Sequence, residues 1–201
     1  TLGFSTPSGI MSTGFTTPES VEVQQMLNFL KSSGINHAVL EISSHALEMH
    51  RVDDVQVDVA VFTHLSQDHL DYHENMENYF QAKLKLFTQL RPESTAIINM
   101  DDKYGKKIIK SVKSKIITYG FNDTADIYPL SYTLSLTGTT AHISIDGKEI
   151  EISSPLIGKF NLYNILASIA SAHALEISPL GIARAIESFS KVSGRMEIIP
   201  T

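Results

Sequence analysis

The sequence has no cysteine among its 201 residues. Disulfides and thiolate metal sites are therefore excluded. Long apolar runs are also missing, and none approaches the roughly 20 residues that a membrane-spanning helix needs, which predicts no membrane insertion. An excess of basic residues is absent too, because the formal net charge is −6. A broad nucleic-acid-binding surface is not expected on a chain of this charge.

The chain ends lack the features of a natural start and stop. It begins at Thr1 without an initiator methionine or a signal-peptide pattern, and it ends abruptly at Thr201. We therefore expect a piece of a longer protein. With 42% apolar and 19% charged residues, the piece should be globular and bury a sizeable core. Its length suits one domain or two small ones.

Strands and helices are predicted to alternate up to Gly120. Thr17-Pro18-Glu19-Ser20 should open a helix that ends near Ser33-Gly34. Short apolar runs bounded by turn residues predict strands at His37–Ile42, Val57–Thr63, Ser94–Asn99 and Lys115–Tyr119. Helical patterns occupy Asn75–Leu90 and Lys103–Ser114. This alternation predicts a mostly parallel, doubly wound α/β sheet with helices on both faces.

The pattern changes after Gly120. Ile127–Ile152 has short alternating runs and a turn at Asp146-Gly147, which predicts a small antiparallel sheet at 127–152. Helical patterns return at Phe160–His173 and Pro179–Ser190.

Polar clusters follow three of the predicted parallel strands. They are Glu41–His45, Thr63–His73 and Asn99–Asp102. In open parallel sheets, ligands bind beyond the carboxyl ends of the strands. We therefore expect these three clusters to converge on one edge of the sheet and to form a site.

Two residues in these clusters are candidate metal ligands. Glu41 ends an apolar run, where a carboxylate is either a cap or ion-pair partner or a hard oxygen ligand for Mg²⁺. His69 stands beside Asp68 among other histidines. This setting favours a functional role for His69 over that of a histidine that only makes a structural hydrogen bond. A zinc hydrolase is disfavoured, because HxH-type and HExxH spacings are absent.

Lys83 is a candidate of another kind. It shares a helix face with Tyr79 and Phe87, so its amine should point toward the sheet, whereas Lys85 is interpreted as an ordinary solvated lysine. A partly buried lysine has a lowered pKa and can react with CO₂ to give a carbamate. The carbamate would turn a cation into a carboxylate-like metal ligand, although the pattern permits this without requiring it.

Weaker candidates lie near the end of the chain. Asn161 and Asn164 are three residues apart at a helix start, where one could be a cap or both could pair with the edge of a base. Arg195 offers a guanidinium suited to phosphate.

Taken together, these stretches resemble the central, ATP-binding domain of the Mur ligases, a P-loop-NTPase-like fold. The resemblance covers nearly the whole chain and keeps the family's order and spacing. The matching stretches are TTPES (16–20), EISSHALEMHRV (41–52), VFTHLSQDHLDYH (61–73), YFQAKLKLF (79–87), AIINMDD (96–102), GKFNLYNILASIA (158–170) and GRMEII (194–199). No single stretch would be sufficient.

The resemblance implies an ATP-dependent ligase in peptidoglycan synthesis. TTP and SSHAL favour the members that add the third amino acid, diaminopimelate or lysine, to UDP-N-acetylmuramoyl-L-alanyl-D-glutamate through an acyl phosphate. Its partners would be that UDP-linked dipeptide and a free amino acid. The protein would be cytoplasmic and monomeric.

The resemblance also implies residue roles. Glu41 and His69 would be Mg²⁺ ligands, and Lys83 would be a carbamylated lysine that holds a second Mg²⁺, these three forming the catalytic set. Asn161 and Asn164 would contact adenine, with Arg195 near the nucleotide. The UDP-linked substrate would be bound by Thr16, Thr17, Ser43 and Arg51. Some relatives have a glutamine at the position of Met49 that also contacts the UDP-linked substrate. The methionine here puts that contact with the substrate in doubt.

A larger departure concerns the phosphate-binding loop. The G-x-x-G-K-[ST] type of motif is not in the chain and is expected just upstream of Thr1. Residues 1–201 are thus interpreted as a truncated central domain, without the uridine-binding and amino-acid-selecting domains. Alone, it should bind ATP weakly and be inactive. The alternatives are another Mur ligase, a folylpolyglutamate synthetase, or a non-catalytic nucleotide-binding domain, which would not need the catalytic set.

Overall fold

The computed structural model describes residues 4–6, 9–11 and 14–189. Eight strands lie within these residues: β1 (Phe4–Thr6), β2 (Gly9–Met11), β3 (Val59–Phe62), β4 (Thr95–Asn99), β5 (Lys115–Tyr119), β6 (Ile127–Leu134), β7 (Thr139–Ile145) and β8 (Lys148–Ser154). The same residues form seven helices: α1 (Ser20–Ser32), α2 (Ser44–Glu48), α3 (Leu70–His73), α4 (Met76–Thr88), α5 (Lys103–Ile109), α6 (Lys159–Ala174) and α7 (Pro179–Ser188).

The chain divides into two compact units. The first unit comprises Thr1–Gln56 and Gln67–Gln89, and the second comprises Val57–Ser66 and Leu90–Thr201. None of the helices in the described residues is both long enough and apolar enough to cross a membrane.

The second unit contains a six-stranded sheet in the order β3-β4-β5-β6-β7-β8. Strands β3 to β6 pair in parallel, and β6 to β8 pair antiparallel. The predicted antiparallel segment therefore exists, but it continues the parallel sheet through β6 and is not a separate sheet.

Helices cover both faces of the parallel strands. Every residue of β4 is buried, as expected for a strand inside an α/β layer. Ile97 belongs to the hydrophobic cluster around α6, whereas the neighbouring Ile98 lies against Gly105 of α5. Because successive strand residues point to opposite faces, α5 and α6 lie on opposite sides of the sheet. The predicted α/β class is confirmed.

The core of the second unit is built around α6. Leu162, Leu166 and Ile169 of this helix are fully buried, and they pack in one cluster with strand residues such as Ile143. A helix of this kind gains its stability from burial of apolar area. The β7–β8 turn at Asp146-Gly147, with φ values of 49° and 74°, confirms the predicted tight hairpin.

The first unit is rich in capping interactions. At the start of α1, Glu19 and Glu22 form a reciprocal capping box. Ser43 caps α2 by accepting a hydrogen bond from the Ala46 amide, and Asn75 caps α4 through the Asn78 amide. These caps satisfy amides that a helix start leaves without an intrahelical partner.

One strand prediction is wrong. Residues 37–42 have no regular secondary structure, and Val39 is fully exposed. A strand exists only when its backbone groups pair with a neighbour, and no strand of the described residues pairs with this segment. Helix α5 is also shorter than predicted, since turns replace it after Ile109.

Candidate active site

A cavity of about 420 Å³ in the first unit gathers most of the predicted site residues. Its walls include the candidate metal ligands and the candidate substrate-binding residues, namely Thr16, Thr17, Glu41, Ser43, Arg51, His69 and Lys83. These residues come from segments up to 67 positions apart, the distance from Thr16 to Lys83 (83 − 16). The fold thus brings two predicted functions, metal binding and substrate binding, to one cavity.

Thr17 organises the wall that contains Glu41. Its side chain is 1% exposed. The hydroxyl donates a hydrogen bond to the Glu41 carbonyl (2.8 Å) and accepts one from the Ser43 amide (3.0 Å). These two bonds hold residues 41–43 in place without a neighbouring strand. Thr17 therefore has a structural task that the sequence did not indicate.

Arg51 is fixed on the same wall by several contacts, among them a hydrogen bond to the Met49 sulfur (3.3 Å). It donates to the Thr17 carbonyl (3.0 Å) and forms an ion pair with Glu19 (2.7 Å). Its guanidinium also lies over the Phe15 ring, 4.8 Å from the centroid. With its side chain only 11% exposed, Arg51 presents a positive charge held in one orientation.

Lys83 lies on α4 with its amine near the Tyr79 ring, 5.4 Å from the centroid. Burial lowers the pKa of Lys83, while the carboxylates of Glu41 and Asp68 oppose that shift. The amine is therefore half-buried beside Tyr79, as the helical spacing suggested, whereas its predicted direction toward the sheet stays a prediction. Lys85 differs from its interpretation as a solvated lysine, because it forms an ion pair with Glu48 (2.7 Å).

His69 occupies a left-handed backbone conformation at the start of α3, with φ of 53°. Its amide donates to the Asp68 carboxylate (2.8 Å), which stabilises this conformation. The imidazole packs edge-on against the Tyr79 ring with centroids 5.9 Å apart, and its side chain is 45% exposed. His69 and Lys83 therefore meet at the same tyrosine, and both face the cavity.

His73 was not identified as a site residue from the sequence. It is 4% exposed, and its Nε2 shares a hydrogen bond of 2.8 Å with the Ser44 hydroxyl. Burial lowers the pKa of His73, with a further lowering from nearby His45, so the neutral imidazole is favoured. The sequence signals were its place in the polar cluster Thr63–His73 and its position four residues after His69.

The cavity residues fit a metal only if Lys83 contributes an oxygen ligand. Among residues 4–6, 9–11 and 14–189, no three His, Cys, Asp or Glu side chains are arranged to hold an ion. Glu41 and His69 supply one carboxylate and one imidazole. A carbamate on Lys83 would add the anionic oxygens that a hard divalent cation prefers.

A second cavity of about 940 Å³ lies in the second unit and contains Asn161 and Asn164. Much of its wall is apolar, with Phe160 and Ile165 from α6 and Ile182 from α7. The Asn161 side-chain amide donates to the Ile157 carbonyl (2.9 Å), and the Asn164 side-chain amide donates to the Asn161 side-chain oxygen (3.3 Å). The two asparagines are therefore coupled, as their spacing suggested.

The cluster Asn99–Asp102 also belongs to the second unit, where it holds loops. The Asn99 side-chain amide donates to the Thr63 carbonyl (2.7 Å). Asp101 accepts from the Phe121 amide (2.7 Å) and from the Tyr163 hydroxyl (2.8 Å), while Asp102 caps α5. This third cluster does not line the cavity of Glu41 and His69.

Arg195, which the sequence predicted to lie near the nucleotide, lies outside the described residues.

Comparison with protein families gives a match to the Mur ligase middle domain over residues 1–172. Curated relatives include the UDP-N-acetylmuramoyl-L-alanyl-D-glutamate–2,6-diaminopimelate ligase of Caldanaerobacter subterraneus subsp. tengcongensis, which is 43% identical over 96% of this chain and 39% of its own length. The ligase of the same name from Aquifex aeolicus is 42% identical over 94% of this chain and 39% of its own.

Solved structures give a consistent result. A UDP-N-acetylmuramoyl-L-alanyl-D-glutamate–2,6-diaminopimelate ligase superposes with a TM-score of 0.83 at 31% identity, covering 98% of this chain and 40% of that protein. MurF from Acinetobacter baumannii shares the fold, with a TM-score of 0.70 at 21% identity over 76% of this chain and 33% of that protein. The chain spans about 39% of the length of the curated relatives named above.

Proposed function

Because this chain belongs to the Mur ligase middle-domain family, we propose that it is the central part of an ATP-dependent ligase. The ligase attaches diaminopimelate to UDP-N-acetylmuramoyl-L-alanyl-D-glutamate. The choice of diaminopimelate over lysine rests on the names of relatives about 40% identical to this chain.

The observation that supports the proposal most is the composition of the first cavity. Glu41, His69 and Lys83 share it with Ser43 and Arg51. A reaction between a carboxylate and a phosphoryl group needs both a place for divalent cations and an anchor for the acidic substrate. Arg51 has the charge for such an anchor, and Ser43 lines the same cavity directly before α2.

Lys83 is proposed to be carbamylated. Its neutral amine would bond to the carbon of CO₂ and release a proton, and burial favours that neutral form. With the carbamate in place, Glu41, His69 and Lys83 would hold two Mg²⁺ ions. Such ions neutralise charge on a transferring phosphoryl group.

The proposed reaction has two nucleophilic displacement steps. The D-glutamate carboxylate of the UDP-linked substrate attacks the γ-phosphorus of ATP, ADP leaves, and an acyl phosphate forms. The amine of diaminopimelate then attacks the acyl carbon, phosphate leaves, and the nitrogen loses a proton. The role of the chain is to orient the carboxylate, with Arg51 and Ser43 on one wall of the cavity.

Nucleotide binding is assigned to the second cavity. The coupled amides of Asn161 and Asn164 offer donors and an acceptor to an adenine edge, and the apolar wall suits the ring faces. Arg195 is proposed to lie near the nucleotide.

The proposal is tested with the full-length protein. Phosphate release should require ATP, Mg²⁺, the UDP-linked dipeptide and diaminopimelate together, and mass spectrometry should identify the UDP-linked tripeptide. Glu41→Gln should abolish release. Glu48→Gln is the matched control, since Glu48 pairs with Lys85 and does not line the cavity. Equal turnover without the UDP-linked dipeptide would overturn the proposal, and turnover with lysine alone would reassign the amino acid.

A further inference from the structure

His73 lies where the segments of the three proposed metal ligands meet, although it does not line the cavity itself. It is the last residue of α3, the single turn that begins directly after His69. Both flanks of this turn have non-glycine residues with positive φ, His69 at 53° and Glu74 at 66°. Such conformations cost free energy and persist only where surrounding contacts determine them.

The hydrogen bond of His73 reaches the segment of Glu41. Its partner Ser44 is 1% exposed and begins α2, three residues after Glu41. The Nε2 to hydroxyl distance is 2.8 Å, and the two residues are 29 positions apart in the chain. Because both groups are buried, loss of either leaves the other without a partner, which is a strong constraint on geometry.

The ring of His73 also contacts the segment of Lys83. It stacks on Tyr79 with centroids 5.0 Å apart and planes 16° apart. Tyr79 precedes Lys83 by one helical turn and contacts both its amine (5.4 Å from the ring centroid) and the His69 ring (5.9 Å between centroids). At its backbone, the His73 carbonyl accepts from the Asn75 amide (2.7 Å) and the Asn78 side chain (3.0 Å) at the start of α4.

We propose that His73 is a positioning residue that fixes Glu41, His69 and Lys83 relative to one another through its hydrogen bond to Ser44 and its stacking on Tyr79. The inference rests on the proposed function, since it takes those three residues as the metal ligands. Groups behind the ligands of a metal commonly determine ligand orientation, and their loss typically lowers metal affinity about 10–100-fold.

A purely space-filling histidine would behave differently. His73→Phe keeps an aromatic ring for Tyr79 but removes the hydrogen bond, and Ser44→Ala removes the other half of the same bond. His73→Gln places an amide where Nε2 stood and can still bond to Ser44. Ser94→Ala is the matched control, because Ser94 is a buried serine (2% exposed) that donates to the Val57 carbonyl (2.7 Å) in the second unit.

The test uses Mn²⁺ as the probe, in the full-length protein supplied with bicarbonate. Binding is measured from the free Mn²⁺ signal in electron paramagnetic resonance, and melting temperatures are recorded for every variant. We expect His73→Phe and Ser44→Ala each to weaken Mn²⁺ binding about 10–100-fold. The double variant should be no weaker than the poorer single one, because both changes remove one bond. His73→Gln should recover part of the loss, and Ser94→Ala should bind normally.

Two results would overturn the inference. One is unchanged Mn²⁺ binding in Ser44→Ala, and the other is an equal loss in Ser94→Ala at a similar melting temperature, which would indicate general destabilisation. Glu41→Gln separates the inference from the proposed function. If Glu41→Gln binds Mn²⁺ normally, the proposed ligand set itself is wrong. If Glu41→Gln is the only variant that weakens Mn²⁺ binding, the proposed ligand set stands and only the positioning role of His73 fails.

Discussion

Most residues that line the cavity of the first unit are polar or charged and come from loops, the start of α2 and the face of α4, although Phe15, Ile42 and Met49 also line it. The cavity of the second unit is walled largely by apolar side chains of α6 and α7, helices of 16 and 10 residues. In the first, single hydrogen bonds such as those of Thr17 fix the geometry. In the second, a continuous cluster of buried isoleucine and leucine does so.

This difference separates two ways of holding a site. Apolar packing is non-directional and provides most of the stability, so it suits a cavity that receives a flat ring. Hydrogen bonds between buried polar groups are directional and costly to leave incomplete, so they suit ligands that must be held precisely. Substitutions in the apolar core of the second unit should therefore affect mainly stability, and those at the polar residues of the first cavity mainly activity.

The largest expected effect is on stability in the second unit. Leu166→Ala removes a fully buried side chain from α6 and should cost about 2–5 kcal/mol in the free energy of unfolding, because it leaves a cavity in the core. Chemical denaturation of the full-length protein measures this. Leu136→Ala is the matched control, since Leu136 is 83% exposed and should change stability little. A Leu166→Ala protein with unchanged stability and lowered turnover would contradict the distinction between the two units.

The next effect is on activity in the first unit. If Lys83 carries the proposed carbamate, Lys83→Arg should lower kcat about 10²–10³-fold, as loss of an electrostatic contact to the reacting groups does, because guanidinium cannot form that carbamate. The melting temperature should barely change. Lys85→Arg, on the same helix, keeps the ion pair with Glu48 and should remain active. Near-normal turnover of Lys83→Arg would mean that the lysine acts as a plain positive charge.

Rescue experiments sharpen the same prediction. Lys83→Ala leaves room at the end of the side chain, so a short carboxylate or bicarbonate from solution should partly restore kcat by supplying the missing oxygens. Lys83→Arg should not be rescued, since its side chain still fills that space. Rescue is measured as kcat against carboxylate concentration. A failure of every small carboxylate to restore Lys83→Ala would argue against an oxygen ligand at this position.

The smallest effect concerns nucleotide binding. Asn164→Ala removes an amide that bonds to Asn161 and should raise the KM for ATP about tenfold, corresponding to about 1.4 kcal/mol for one lost interaction. The KM for the UDP-linked substrate should stay the same. Ser168→Ala is the control, because Ser168 lines the same cavity but bonds to the Asn164 carbonyl within the helix (2.9 Å). Equal KM changes for both substrates would erase the distinction between the two cavities.

Local patterns in the sequence determined much of the second unit. The apolar runs of β3, β4 and β5 and the Asp146-Gly147 turn were predictable, because strand propensity and turn conformation depend on adjacent residues. In the first unit, the shared face of Lys83 and Tyr79 was predictable for the same reason, since the helical period places residues four apart on one face. Gly158, with φ of 89°, is the residue directly before α6 and precedes the asparagine pair.

Only the tertiary structure decided how the first unit holds its site. Residues 37–42 have the pattern of a strand, yet a strand needs a partner that pattern alone cannot supply. Glu41 is held instead by Thr17, 24 positions earlier in the chain, and His73 by Ser44, 29 positions earlier. Bonds across such separations depend on how distant segments pack, because no local preference of either residue specifies its partner. The types of residue at the site were therefore set by the sequence, and their mutual geometry by the fold.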